Sequence, residues 1–475
     1  MRSRLALRAG RCAAGLSRRL RRGEGAIIGG RVTLALDPRA LARLASRRRV
    51  ALVSGTNGKT TTSHLLAALL STAGPVAHNA TGANMPDGAA AALAAAPDAE
   101  LAVLEVDELY VAAVAEAVDP AVVVLLNLSR DQLDRGSEVR MVAAALSQAL
   151  RRRPDTCVVA NADDPMVVWS AGSAARVVWV AAGANWAGDT AGCPACGEAL
   201  DVSPGRSWSC RCGLARPSTP WRLHPAEHTV LRDIVLRDIT RLGAHLSPGP
   251  GTRTEAIPVS LPLPGAFNLG NAALALAAAA ELGIDPASAA GALASIRQVG
   301  DRYRTALRGP HRLRLLLAKN PAGWAETLPL LEPDAARLLV VNARAADGRD
   351  TSWLWDVAFE QLAGHHDLET STRTRPGTGR GAARVAVAGE KAHDLGLRLS
   401  YADVAHTTLA DPLAALDALP PGKVDVIANY TAFRSLAARL ATARNGLGAG
   451  VDPEAVDAGV DLDQQLRSAT GPRPV

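Results

Sequence analysis

The chain has 475 residues, enough for two or three domains with a sizeable buried core. Apolar residues make up 48% and charged residues 21%, an ordinary balance for an α/β protein, while aromatics reach only 3%, so alanine and leucine must supply most of the core volume. No uncharged apolar run reaches the roughly 18 residues of a membrane-spanning helix. The net charge of +6 is uneven: residues 1–25 hold eight arginines against Glu24, and the remaining 450 residues carry 44 basic and 45 acidic groups. A body so close to neutral argues against a broad nucleic-acid groove, which leaves the basic arm as the only part suited to that role.

That arm, MRSRLALRAGRCAAGLSRRLRR, mixes Leu and Ala with Arg at roughly helical spacing and lacks the apolar core of a signal peptide. It reads either as a helix lying on an anionic membrane surface or as a helix docked on the core. Without a secretory signal the chain is expected in the cytoplasm, at most at the inner face of the membrane, with its thiols reduced. Residues 27–48 read as a connecting strand and a short helix.

Next comes VALVSGTNGKTTT (50–62), followed by SHLLAALL at helical spacing. A short apolar strand, a Gly-rich turn and a helix start converge several backbone N–H groups on one point, where the helix dipole also favours an anion. Thr56, Asn57, Gly58, Lys59, Thr60 and Thr61 therefore form a candidate phosphate loop. Lys59 is placed to reach the β/γ-phosphates and the Thr60 hydroxyl to meet Mg²⁺. The generic pattern asks for glycine at position 53, which is Val53 here, so the match is to the shorter G-T-N-G-K-T.

Beyond the loop helix, a polar segment at 76–88 and an Ala-rich helix to about Ala96 precede strand 101–106, which ends in Glu105, Asp107 and Glu108. Strand 121–126 runs into NLSRDQLDRGS; helix 138–151, strand 157–160, the loop NADDP (161–165) and strand 176–181 follow. Strands alternating with helices predict a parallel sheet with ligands at its carboxyl edge. Glu108 is the favoured magnesium ligand, with Glu105 and Asp107 as competitors.

Four of the six cysteines fall in one insertion, Cys193-x2-Cys196 … Cys210-x-Cys212, each pair followed by glycine. Four thiolates on two turns suit a tetrahedral structural Zn²⁺; two disulfides are the alternative. Cys12 and Cys157 have no catalytic context. The segment 262–284 turns and becomes a long Ala/Leu helix with Asn268 and Asn271 near its start. After VGDRYRT the pattern resets, and strands at 313–318, 338–342, 384–389 and 424–431 predict a second, smaller nucleotide-binding-like sheet. Asp347, Asp350 and Asp356 are equally placed as functional acids in its DGRDTSWLWD segment. Residues 366–382 read as a flexible loop and 445–475 as a disordered tail.

GTNGKTTT, the acidic strand end, NLSRDQLDR, NADDP and GAFNLGNAALA stand in the order found in the Mur ligases, which the chain resembles, with folylpolyglutamate synthetases as the wider kin. The four-cysteine insertion, KNPAG and DGRDTSWLWD narrow the resemblance to the MurT family, ligase subunits of lipid II isoglutaminyl synthases that act with a GatD glutaminase. The resemblance implies a Mur-ligase-like central parallel-sheet ATPase domain (49–304) carrying a zinc ribbon (188–217). A smaller Rossmann-like C-terminal domain (305–444) follows, and a basic helix and connector (1–48) precedes.

It further implies ATP-dependent amidation of the α-carboxyl of D-glutamate in the lipid II stem peptide through an acyl phosphate, in a heterodimer. Asn268 and Arg302 match positions that contact the nucleotide, and Asp350 matches the aspartate that completes the partner's Cys–His pair. The family's D-H-x-D reads Asp131-Gln132-Leu133-Asp134, without its histidine, and H-N-x-x-N reads Phe267-Asn268-Leu269-Gly270-Asn271. Two other readings compete. An amino-acid-adding ligase would need its own amine pocket, and a zinc-ribbon nucleic-acid-binding protein would use the basic arm.

Overall fold

The computed structural model describes residues 2–20, 25–130, 139–183, 192–203, 207–223, 230–231, 234–242, 254–296, 299, 302–365 and 384–446. Asp131–Asp134, the segment 366–382 and the tail from 447 lie outside the described residues. The described residues form two compact units, one made of residues up to 299 and the other of Arg130 with residues 302–446.

The first unit begins with α1 (Arg2–Arg19), α2 (Ala26–Leu36) and α3 (Ala40–Ala45), then β1 (Arg49–Ser54) and α4 (Lys59–Ser71). It continues through β2 (Val76–His78), α5 (Pro86–Ala95), β3 (Leu101–Glu105), α6 (Val111–Val118), β4 (Val122–Leu125) and α7 (Val139–Arg151). β5 (Cys157–Asn161), α8 (Pro165–Ala171) and β6 (Arg176–Ala181) follow, then the small hairpin of β7 (Asp201–Ser203) and β8 (Ser207–Ser209). β9 (Trp221–Leu223), β10 (Val230–Leu231), β11 (Ile234–Leu242), β12 (Thr254–Leu261), α9 (Ala266–Glu281) and α10 (Pro286–Ala289) complete it.

Strands β2-β3-β1-β4-β5-β6-β9 form a parallel ladder, extended antiparallel by β11, which pairs with both β10 and β12. The antiparallel extension had no counterpart in the sequence reading. β1 is buried from Val50 to Ser54 because both its faces are covered. Ala51 and Val53 join the core of α4 and α9, while Val50 and Leu52 join that of α3, α5 and α6. Strand order reverses at β1, with β3 on one side and β4 on the other, so the crevice for a ligand opens beyond the carboxyl end of β1.

The strand expected within residues 27–48 is not one: the segment forms α2 and α3. Its glycines are contact points between helices and not turn signals. A β-carbon on Gly30 would lie 1.9 Å from the carbonyl oxygen of Asp87 in α5, and one on Gly10 would lie 2.6 Å from that of Gly29. Arg31 Nε donates to Asp87 Oδ2 at 2.9 Å, fastening α2 to the body.

The second unit contains β13 (Tyr303–Arg308), β14 (His311–Leu317), α11 (Pro321–Thr327), β15 (Ala336–Val340), β16 (Val385–Ala388) and α12 (Ala392–Tyr401). β17 (Thr407–Thr408), α13 (Pro412–Asp417), β18 (Gly422–Ala428) and α14 (Tyr430–Gly446) close it. Its sheet runs β13-β14-β18-β15-β16-β17, parallel except for the β13–β14 pair. The strand read as 424–431 stops at Ala428. Buried Asn429 donates from Nδ2 to Asn342 O (2.7 Å) and accepts from Asn342 N (3.1 Å), which locks the ends of β18 and β15 together before α14 begins. Residues 445 and 446, read as tail, are the last residues of α14.

Candidate nucleotide and metal sites

The loop from Gly55 to Gly58 leaves the carboxyl end of β1 and enters α4. Gly55 has φ 143° and Gly58 φ 82°, and a β-carbon on Gly58 would stand 2.8 Å from Asn271 Oδ1. Both positions therefore need glycine. Asn127, just past β4, grips the loop with both ends of its amide: it accepts from Asn57 N at 2.8 Å and donates to Asn57 O at 3.1 Å. Thr56 adds a reciprocal pair with Ser129, its hydroxyl donating to Ser129 O at 3.1 Å and accepting from Ser129 N at 2.9 Å.

Lys59 is buried and donates to the carbonyls of Gly55 and Thr56 and to Glu108 Oε2, the last at 2.9 Å. Thr60 and Thr61 are buried in the first turn of α4. The turn is braced from behind: Ser63 Oγ donates to Thr60 O (2.9 Å), and His64 Nδ1 bonds the same oxygen (2.8 Å). The His64 and His78 rings meet edge to face at 4.7 Å; burial, with His64 beside it, holds His78 well below the ordinary imidazole value.

Of the three acids at the β3 end, Glu108 is engaged by Lys59, and Asp107 Oδ1 accepts from Leu109 N at 3.1 Å. Glu105 differs: it is 1% exposed and its Oε2 has no hydrogen-bond partner. Its backbone is pinned by Asn79, which accepts from Glu105 N and donates to Glu105 O, each at 2.8 Å. A β-carbon on Gly82 would lie 3.8 Å from Thr60 Oγ1 and 4.0 Å from Glu105 Oε2, so these two oxygens border one small space. Ser54 Oγ, Thr62 Oγ1 and Ser129 Oγ around the loop are also buried without partners. Buried polar atoms left unmatched are costly, and a bound phosphate and cation would satisfy such a set.

α9 brings Asn268 and Asn271 to the same loop. Asn268 Nδ2 donates to Pro264 O at 2.6 Å, and Asn271 Nδ2 donates to Asn268 Oδ1 at 3.2 Å, aligning the pair with Asn271 against Gly58. Neither Asn127 nor Asn271 was singled out from sequence as a site residue. Arg302 belongs to the second unit, immediately before β13.

The three aspartates of the second unit separate clearly. Asp347 is buried and accepts from the backbone N and hydroxyl of Thr431, fixing its loop to the start of α14. Asp356 pairs with Arg130 at 3.4 Å. Asp350 is exposed, and the backbone N–H of Ser352 donating at 2.8 Å holds its carboxyl below the usual range.

The four insertion cysteines are free thiols whose sulfurs all lie within 4.8 Å of one another, with Cys193–Cys212 at 3.6 Å and Cys196–Cys210 at 3.5 Å. Those separations exceed the roughly 2.05 Å of a disulfide. They approach the edge of a tetrahedron with Zn–S of about 2.3 Å, about 3.8 Å. Each knuckle turns on a glycine of positive φ, Gly197 (85°) and Gly213 (95°). The ribbon is clipped to the first unit by Trp208 Nε1 donating to Ala162 O (3.2 Å) and by Arg216 pairing with Asp163 (2.7 Å), so NADDP serves partly as its socket. Burial, with the Glu281 carboxylate beside it, pushes the Cys157 thiol up to about 12, which makes it inert; Cys12 is exposed on α1.

Two family models match the chain: the Mur ligase middle domain over residues 53–190 and the MurT ligase C-terminal domain over residues 317–433. The lipid II isoglutaminyl synthase (glutamine-hydrolyzing) subunit MurT of Streptococcus pneumoniae is 30% identical over 367 residues, 72% of this chain and 78% of the relative. The Staphylococcus aureus N315 subunit of the same name is 26% identical, covering 80% and 84%. Among solved structures, a type C pseudomurein peptide ligase from Methanothermus fervidus is 19% identical with a TM-score of 0.59, covering 85% of this chain and 80% of its own. MurF from Acinetobacter baumannii is 17% identical, with the same score and coverage of 86% and 80%. These structures share the Mur-ligase fold. The residue matches run from the phosphate loop to the last strands of the second unit, and the chain belongs to the MurT family.

Proposed function

We propose that this protein is the ATP-dependent ligase subunit of a glutamine amidotransferase. It converts the α-carboxylate of D-glutamate in the lipid II stem peptide to the amide, with ammonia from a GatD-like glutaminase. The observation that carries this is the phosphate loop at the strand-order reversal, with Lys59 and Thr60 in place and unmatched buried oxygens around it, in a chain of the MurT family. A carboxylate resists attack by ammonia because its leaving group would be oxide. One carboxylate oxygen instead attacks the γ-phosphorus of ATP, and ADP departs. Ammonia nitrogen then attacks the carbonyl carbon of the acyl phosphate, phosphate leaves with the C–O bond, and a proton is lost.

The chain's own contribution is positioning and charge. The amide of Gly58 and the ammonium of Lys59 are assigned to the phosphates, and Asn57, whose own N–H is held by Asn127, to the shape of the loop, while Glu108 holds Lys59 there. Thr61, Asn268 and Arg302 are assigned to the nucleotide. Thr60 and Glu105 are the residues that would hold Mg²⁺, which would neutralise charge on the transferring phosphoryl group. Glu108, the ligand favoured from sequence, is given the role of lysine partner. Replacing Glu105 by Gln is expected to raise the magnesium concentration for half-maximal amidation by about tenfold or more, while Glu108→Gln leaves it within about threefold. The reverse order, measured in magnesium titrations with free ammonium, would return the ligand role to Glu108.

Cys157 is buried with its thiol pushed up to about 12, which disfavours attack on glutamine, and the MurT relatives are named as subunits, so the nitrogen is assigned to a second polypeptide. Asp350, exposed and ionised, is free to meet that partner's histidine and fix its tautomer, whereas Asp347 is committed to α14. In the assembled complex, Asp350→Asn should lower glutamine-dependent amidation about a thousandfold and leave ammonium-dependent amidation within about twofold. Equal loss from both nitrogen sources would place Asp350 in the ligase site. The match of residues 317–433 to the MurT ligase C-terminal family domain favours this reading over an amino-acid-adding ligase.

Cys193, Cys196, Cys210 and Cys212 are assigned to a structural zinc ion, since four thiolates leave no open coordination position. Purified protein should carry about one zinc per chain, and chelation should lower its unfolding temperature. A metal-free preparation with four titratable ribbon thiols and an unchanged unfolding temperature would refute the assignment. The basic arm is assigned to peripheral contact with the membrane that carries the substrate.

A further inference from the structure

The first helix presents a surface that the chemistry above does not use. On α1, Leu5, Ala9, Cys12 and Leu16, with Leu20 just past its end, follow one another at spacings of four, three, four and four residues and so line one stripe. Leu5, Leu16 and Leu20 are 59%, 58% and 57% exposed. Arg8 and Arg19 flank that stripe, Arg4, Arg11 and Arg18 continue the basic face away from it, and α1 contains no acidic residue. The opposite flank is occupied: Ala6 and Gly10 are buried, Thr33 Oγ1 of α2 lies 3.5 Å from Ala6 O, and α2 is itself fastened to α5. Ile27 and Ile28 at the start of α2 are exposed as well. No described helix is long and apolar enough to cross a membrane.

We propose that α1 is an in-plane anchor for an anionic phospholipid bilayer. Leu5, Leu16 and Leu20 enter the acyl boundary, the flanking arginines contact headgroup phosphates, and the Gly10–Gly29 contact with α2 ties the anchor rigidly to the nucleotide-binding unit. The charge pattern favours this occupant: an arginine-rich face beside exposed leucines matches a surface that is anionic outside and apolar beneath. This inference deepens the membrane contact assigned above and is independent of the reading of the nucleotide loop.

The test is flotation of the full-length protein with vesicles of phosphatidylcholine alone and of phosphatidylcholine with about 30% phosphatidylglycerol. The protein should float with the anionic vesicles and bind the neutral ones about tenfold or more weakly. Leu16→Glu/Leu20→Glu and Arg8→Glu/Arg11→Glu should each weaken anionic binding about tenfold or more, with unfolding temperature and soluble-substrate amidation unchanged. Equal affinity for both vesicle types, or wild-type binding by the leucine variant, would overturn the proposal. So would failure to float combined with salt-sensitive RNA binding, or with a self-association that the leucine substitutions abolish.

Discussion

The two hydrogen bonds between the Asn127 side chain and the backbone of Asn57 are the constraint on which the nucleotide site depends. A four-residue loop with two positive-φ glycines has little intrinsic preference for one shape, and ordering it costs conformational entropy. Asn127, fixed at the end of β4, and Ser129, bonded to Thr56, supply the missing restraint from the neighbouring strand. Because β4 and β1 are in parallel register, with Ser54 opposite Leu125, the sheet itself sets the loop's position. The shape of the loop is thus set by the fold before any ligand binds, the kind of preorganisation that the proposed phosphoryl transfer rewards.

Lys59 illustrates the same economy. Its ammonium group is buried to 7% exposure. Two loop carbonyls and Glu108, itself 13% exposed, accept from it and hold it at the loop. Glu105 and Thr60 face a different point, around Gly82, whose positive φ of 73° favours glycine. Two carboxylates three residues apart therefore have different surroundings because one is the last residue of β3 and the other lies in the turn beyond it. The ribbon and α1–α2 are attached around this centre through side-chain pairs, Arg216–Asp163 and Arg31–Asp87, that leave the loop untouched.

What could be read in the sequence was what is encoded locally. G-T-N-G-K-T carries its turn, its dipole and its charge in six residues, and the cysteine spacings carry their own geometry, so both were legible. The choice among Glu105, Asp107 and Glu108 was not, because each lies near the same strand end and only packing decides which oxygen is left unmatched. Asn271 stood in the family motif and Asn127 opened NLSRDQLDR, but neither was assigned a role, because their importance comes from contacts with residues more than 200 and 70 positions away. Asp347 and Asp350 were indistinguishable until α14 claimed the first. The strand read within residues 27–48 failed because contacts of α2 with α1 and α5, made through Gly29 and Gly30, carry no local signal. The family resemblance narrowed the function in a way that residue chemistry alone could not: the loop says that phosphate is transferred, not to what.

The central claim is that the phosphate loop activates a carboxylate by phosphoryl transfer before nitrogen arrives. The most direct measurement uses lipid II labelled with oxygen-18 in the D-glutamate α-carboxyl, ATP and free ammonium, with mass analysis of the released phosphate. The account predicts one labelled oxygen in inorganic phosphate for each amide formed and none in the nucleotide product. Label appearing in a nucleoside monophosphate, or amide formation without label in phosphate, would contradict it.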